Sequence, residues 1–211
     1  MITIIKKPIV EMLFSSGLDL VEQGARCCVN NKMVKNEHAI ENEIENKKQK
    51  QYLKNIFDRG HLSVFEHSIA TFKIKMSRNC LAQITRHRHS SFSVQSQRYC
   101  CYKNSGEIVL LENLPYDLNK IIINSVTASF NIYKAILKEV ENDRNICSKL
   151  APQIARKVLP GCWATELVVS ANYREWLHIF ELRADDPAAE TEIRLICQEV
   201  KKLLDVGYLL D

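Results

Sequence analysis

Fourteen consecutive residues constrain this chain more than any other feature: Arg86-His87-Arg88-His89-Ser90-Ser91-Phe92-Ser93-Val94-Gln95-Ser96-Gln97-Arg98-Tyr99. Three arginines, two histidines and four serines fall in this window, with Phe92 and Val94 to bury. A packed core element is not written this way. Guanidinium forks bind phosphate or carboxylate bidentately, and closely spaced hydroxyls and loop amides complete such an anion site. The stretch therefore reads as a loop for a phosphorylated ligand, with a solvated Arg/Ser turn as the plain alternative.

The rest of the composition decides what kind of protein carries this loop. At 211 residues, without a Pro/Gly/Ser-rich linker or a repeat period, the chain reads as one domain spanning 1–211. Its 46% hydrophobic and 26% charged residues are those of a soluble globular protein. Apolar runs are too short for a bilayer span, and Met-Ile-Thr-Ile-Ile-Lys-Lys at the start lacks a signal peptide's order. A cytoplasmic protein without a membrane partner is expected. The net charge of +4 is spread along the chain and suits a small anionic ligand better than a nucleic-acid track. Arg86, Arg88 and Arg98 with Phe92, Tyr99 and Tyr102 as stacking partners would be the nucleic-acid alternative.

Eight cysteines without a secretory signal, paired as Cys27-Cys28 and Cys100-Cys101, read as reduced thiols. A metal site from His87, His89, Cys100 and Cys101 matches no common zinc spacing, so none is assigned. Neither Gly-x-Gly-x-x-Gly nor Gly-x-x-x-x-Gly-Lys occurs, so a dinucleotide or nucleotide site of those types has no support.

Along the chain, residues 1–8 read as a strand and Val10 to Leu20 as a helix, from apolar spacing around Met12, Leu13 and Leu18. Residues 35–50 are mostly Lys, Glu, Asn and Gln and read as a solvated helix or loop. A short helix is expected from Tyr52 to Arg59, stopped by Gly60. Ser68 to Met76 alternates, with Ala70, Phe72, Ile74 and Met76 on one face, which predicts a half-buried strand. A short helix from Asn79 to Thr85 leads into the Arg-rich loop, and Tyr99 to Tyr102 reads as a returning strand. On such a strand Cys100 and Cys101 point to opposite faces, which argues against a paired catalytic role. Long helices are expected over 117–141 and 188–205, a shorter one over Ser148 to Val158 with Pro152 in its first turn, and a strand from Cys162 to Ala171. Asn172 is placed to cap a helix on which Arg174, His178 and Leu182 share one face.

The fourteen residues fit Arg-His-Arg-x-x-Ser-x-(Asn or Ser)-x-x-Ser-x-Arg-Tyr, and in that form the chain resembles the flavin-dependent thymidylate synthases. Three further segments carry the same resemblance. His61-Leu62-Ser63-Val64-Phe65-Glu66-His67 is similar to His-x-(Thr or Ser)-x-Phe-Glu-His, Ala155 to Pro160 to Ala-Arg-x-x-Leu-Pro, and Asn172 to Asp185 to the segment ending Arg-x-Asp. A weaker match is Ala25-Arg26-Cys27-Cys28.

The resemblance implies an α+β fold, a small mostly antiparallel sheet with packed helices, assembled as a homotetramer with shared active sites. It implies methylation of dUMP to dTMP with the one-carbon unit of 5,10-methylenetetrahydrofolate and a hydride from FAD reduced by NADPH. For dUMP it implies Gln83, Arg86, Ser96, Gln97, Arg98, Arg156 and Arg183, the last as the catalytic arginine. For FAD it implies Cys28, His61, Ser63, Glu66, His87, Arg88, His89, Asn172, Arg174, His178 and Leu182. The family's usual Asn-Glu is Ser93-Val94 here and its usual Ser-His is Asp186-Pro187, so a flavin contact from that histidine is not carried over.

Overall fold

Strand and helix follow one another in a mixed order: β1 (Ile2–Ile5), β2 (Ile9–Ser15), α1 (Asp19–Cys27), α2 (Glu43–Asp58), β3 (Ile69–Ser77), α3 (Arg78–Ile84), β4 (Ser90–Val94), β5 (Gly106–Val109), α4 (Tyr116–Asn142), α5 (Ala151–Ala155), β6 (Ala164–Asn172), α6 (Tyr173–Phe180), α7 (Thr191–Leu204) and α8 (Gly207–Leu210). The structure, a computed structural model, describes residues 1–29, 43–143 and 147–210. These form an α+β fold with a mostly antiparallel four-stranded sheet ordered β2-β3-β6-β4, and β1 paired in parallel with β5.

The alternation in β3 has the expected result. Ala70, Phe72, Ile74 and Met76 are buried, while Ile69 and Lys73 are exposed. In the neighbouring β6, Leu167, Val169 and Ala171 are buried in the same period of two. The Arg78 amide donates to the Trp163 carbonyl at 3.0 Å, and the Thr71 and Ser170 hydroxyls meet at 2.9 Å. Partners that rise on one strand fall on the other, so β3 and β6 are antiparallel.

The fold resolves into two compact units, each assembled from separated segments: Met1–Ile9, Ile74–Ile84 and Ser93–Leu167 in the first, Val10–Lys73, Thr85–Phe92 and Val168–Asp211 in the second. The first has its core under α4, where Val126, Phe130, Tyr133, Leu137 and Val140 recur at helical spacing and meet Ile108 and Trp163. The Trp163 ring lies 5.3 Å from Phe130 and 5.4 Å from Tyr102. In the same unit Lys75 Nζ lies 2.7 Å from Glu107 and 3.1 Å from Glu166, and the Glu107 hydrogen bond leads in raising the ammonium's pKa. In the second unit Trp176 packs edge-on to Phe72 at 5.2 Å, stacks on Phe180 at 5.9 Å, and donates its indole N–H to the Ala70 carbonyl at 3.2 Å.

Four expectations are corrected. The helix expected from Val10 to Leu20 is strand β2 followed by a turn at Gly17, with α1 beginning at Asp19. Ile9, Met12, Leu13 and Phe14 are all exposed, so the run is apolar on both faces, and such a run carries no period that separates strand from helix. Within the Arg-rich stretch, Ser90–Val94 is strand rather than loop. Tyr99 to Tyr102 is not a strand. The amides of Tyr99 and Cys100 fold back onto the Ser96 carbonyl at 3.1 and 2.9 Å, which also removes the opposite-face argument for Cys100 and Cys101. The helix expected over Ser148 to Val158 is broken, with 3-10 turns at Ser148–Leu150 and Arg156–Val158 around the five residues of α5. Of the polar stretch 35–50, residues 35–42 lie outside the described residues; the remainder is α2, which extends the helix expected at Tyr52 toward the N-terminus.

Gly106 opens β5, where a Cβ would stand 2.1 Å from Cη2 of the fully buried Trp163. That indole has nowhere to go, so Gly106→Ala is expected to lower unfolding stability by about 1–3 kcal/mol or more, measured as a shift in the urea midpoint against the parent. An unchanged midpoint would show that the close approach of β5 to Trp163 is not a packing constraint.

Candidate functional site

The second unit's site is built from the end of β6. Asn172 leaves the strand in an extended conformation, and its side-chain carbonyl accepts the Glu175 amide at 2.9 Å, which caps α6. The cap fixes where the next turns point. Arg174 and His178 are exposed and Leu182 is 43% exposed, one face at spacings of four, while Tyr173, Trp176, Leu177, Ile179 and Phe180 are buried on the other. The helix then widens into a π turn over Glu181–Asp185, which carries Arg183. Such turns shift the helical register of their own and later residues, and they recur at functional sites.

Beside α6 lies a cavity of about 580 Å³. Glu66, His89, Asn172, Arg174 and His178 line it, so residues from three separate motif segments converge on one space. Arg174 pairs with Glu66, both about half exposed. Phe57, Leu62 and Leu177 supply an apolar wall, and Glu175 and Glu181 complete the lining. These five were not anticipated. Phe57 and Leu177 sit at apolar helical positions, and nothing in their own segments distinguishes a cavity wall from core.

Cys28, His61 and Ser63 do not join that cavity. They line a second one of about 450 Å³, with Tyr52, Arg59 and Val64. The Cys28 thiol donates to the Gly24 carbonyl at 3.4 Å, as a small residue closing a helix end. Arg88 is exposed, and neither it nor Leu182 lines either cavity. Arg86 is exposed in the turn after α3.

His87 is buried, unlike its motif neighbours. The Arg183 Nε–H donates to its Nε2 at 3.3 Å, its Nδ1 lies 3.7 Å from the buried Glu175 carboxylate, and the His178 ring is 6.2 Å away. Burial, followed by the charges of Arg183 and His178, pushes its pKa down to about 4. All three causes disfavour the charged form, so at neutral pH a neutral ring faces Glu175.

The first unit holds Gln83, Ser96, Gln97, Arg98 and Arg156. Ser96 organises the turn, its carbonyl accepting two amides and its hydroxyl accepting the Arg98 amide at 3.3 Å. The exposed Arg98 is steadied by its Nε–H donating to Gln153 at 3.1 Å and by the Tyr99 ring at 5.6 Å. Gln153 lies three residues before the half-buried Arg156, so α5 and the 3-10 turn after it bring a second cation to the neighbourhood of Arg98. Gln97 is buried beside them and Gln83 is partly buried on α3. Gln153 was not anticipated, since it lies 55 residues from its partner and outside every motif.

Residues 12–206 match the family described as thymidylate synthase complementing protein. A probable flavin-dependent thymidylate synthase of Mycobacterium phage L5 is 36% identical over 192 residues, covering 88% of this chain and 75% of the relative. A flavin-dependent thymidylate synthase of Mycobacteroides abscessus is 33% identical over 200 residues, covering 90% and 77%. The fold is that of the UMP/dUMP methylase PolB from Streptomyces cacaoi bound with 5-Br dUMP, with a TM-score of 0.78 at 20% identity over 99% of this chain and 97% of that one. The chain belongs to the family of flavin-dependent thymidylate synthases, which places it among the methyltransferase enzymes. Among the described residues no helix is long and apolar enough to cross a membrane.

The buried neutral His87 has a consequence for stability. Its folded pKa of about 4 lies below the ordinary value of 6.5, so the unfolded chain takes up the proton first. The contribution of the neutral ring is therefore fully present above pH 6.5 and lost as the pH falls toward 4. In urea unfolding at a series of pH values, the parent is expected to lose up to ~3 kcal/mol relative to His87→Gln across that window. A pH-independent difference between the two contradicts the burial of a neutral ring.

Proposed function

We propose that this chain methylates dUMP to dTMP, with 5,10-methylenetetrahydrofolate as one-carbon donor and FAD reduced by NADPH as hydride source. The observation that carries the reading is the convergence of Glu66, His89, Asn172, Arg174 and His178 on one cavity beside α6. FAD fits the chemistry of that lining: a flat apolar ring system needs walls such as Phe57, Leu62 and Leu177, while its polar edge and phosphates need the donors of Arg174, Asn172 and the two histidines. When bound, the flavin supplies the hydride that completes the methyl group. Cys28, His61 and Ser63 would hold a further part of the same cofactor from the second cavity, and Arg88 and Leu182 its outer edge.

For the nucleotide, Arg98 and Arg156 supply bidentate contacts to the 5′-phosphate, with Ser96, the Gln97 amide, Gln83 and Arg86 completing the set. Methylation at C5 of the pyrimidine builds negative charge on the ring carbonyls. Arg183 is the group that stabilises it: with Nε–H committed to His87, its outer N–H groups make no hydrogen bond among the described residues and remain free to face that charge. His87 thereby acts through Arg183 rather than on the flavin. The family resemblance supports a homotetramer with sites shared between subunits, a single catalytic domain over 1–211 and a cytoplasmic setting.

Arg98→Ala is expected to raise the dissociation constant of dUMP at least about tenfold, because a charge-assisted phosphate contact contributes ~1.5–3 kcal/mol. Equilibrium dialysis with labelled nucleotide reads this, and the visible absorbance of the purified protein reads flavin retention, which should stay unchanged. Normal dUMP binding with loss of the flavin band would overturn the division between nucleotide and flavin residues.

A further inference from the structure

We propose that Glu175 is a positioning residue for Arg183, acting through the ring of His87. The inference rests on the reading of Arg183 as the charge-stabilising group, and Glu175, though inside the Asn172 to Asp185 segment, has no role among those the family resemblance implies. Three side chains form the chain of contacts, and two of them are buried: Glu175 is 7% exposed and His87 is 6% exposed. The Glu175 Oε1 lies 3.7 Å from His87 Nδ1, and the Arg183 Nε–H donates to His87 Nε2 at 3.3 Å.

These distances set where the ring carries its proton. A neutral imidazole has one N–H, and which nitrogen carries it is set by what faces the other. Nε2 must offer its lone pair to Arg183, so the proton sits on Nδ1, the nitrogen that faces the Glu175 carboxylate. At 3.7 Å the carboxylate is beyond ideal hydrogen-bond length and acts as a fixed negative charge that favours the Nδ1–H form. In the other tautomer the ring would present Nε2–H to Arg183 Nε–H, donor against donor. The guanidinium would then leave the ring, and Arg183, carried on a π turn rather than a regular helix, would lose this anchor.

Glu175 has a plainer possible role as an acidic residue in the first turn of α6, where any carboxylate favours the helix N-terminus. A helix-stabilising role would not set the tautomer of a histidine 88 positions away in sequence.

Two-dimensional ¹H–¹⁵N spectra of the imidazole, recorded on the full chain with labelled histidine, read the tautomer without reference to activity. The parent is expected to show His87 as Nδ1–H, and Glu175→Gln, which keeps the shape and removes the charge, is expected to populate Nε2–H. Turnover should fall on the order of ten- to a hundredfold in kcat, with the dUMP dissociation constant changing less than about twofold. In a His87→Gln background, where the amide oxygen can accept from Arg183 without any tautomer, Glu175→Gln should lower kcat at saturating FAD by less than about twofold further, so that its effect on turnover is coupled to the ring. An Nε2–H ring in the parent overturns the proposal even if no variant folds, and so does an unchanged tautomer in Glu175→Gln. Loss of thymidylate synthesis in the parent itself, with the tautomers behaving as described, would instead overturn the functional reading and leave the positioning contact standing.

Discussion

The hydrogen bond from the Glu175 amide to the side chain of Asn172 is the constraint on which the second unit's site depends. It stops β6 and starts α6 within one residue, so the direction of a strand buried at Leu167, Val169 and Ala171 sets the direction of the helix. An Ala in place of such a cap costs ~1 kcal/mol. The geometric effect is larger than the energetic one. Every later position on α6 inherits its angle from this junction, with Arg174 and His178 turned to the cavity and Trp176 and Phe180 turned to Phe72 and the core. The π turn at the end of α6 gives Arg183 a register a regular helix would not.

The proposed function asks different things of the two units. In the second, opposed charges and apolar walls surround a cavity of the size that holds a cofactor. In the first, Arg98 is held outward by Gln153 and Tyr99 on a turn pinned by Ser96, with Arg156 on the 3-10 turn that follows the helix carrying Gln153. A phosphate site needs exposed, steadied guanidinium groups, whereas a site that shapes charge on a ring needs groups whose partners are fixed. His87 shows the second kind. Its burial and the charges of Arg183 and His178 keep it neutral, and a neutral ring can accept from Arg183.

Much of this was legible in the sequence wherever a local pattern caused the structure. The period of two in β3, the apolar spacing of α4 and the cap at Asn172 each act within a few residues, and each appears where expected. The Arg174, His178 and Leu182 face was equally visible and is exposed as its spacing requires. What the sequence hid is of two kinds. Ile9 to Phe14 carries apolar residues on both faces of an edge strand, so no period of two marks it and the run reads as a helix. Glu175, Gln153 and Phe57 acquire their roles from partners brought near by the fold, and no spacing within their own segments announces this. The motif itself was informative about chemistry and misleading about backbone. Its middle is strand β4, and its two arginine-bearing ends fall in different units.

The measurement that bears most directly on the proposed function is a titration of FAD into the flavin-free chain, followed by quenching of flavin fluorescence, in the parent and in Arg174→Ala. Arg174 is about half exposed and its pair with Glu66 contributes ~0–1 kcal/mol to stability, so the variant should fold as the parent does. Saturable binding by the parent and a dissociation constant raised at least about tenfold in the variant are expected if the cavity beside α6 holds the flavin. Equal affinity in both proteins, or no saturable binding in the parent, would contradict that placement.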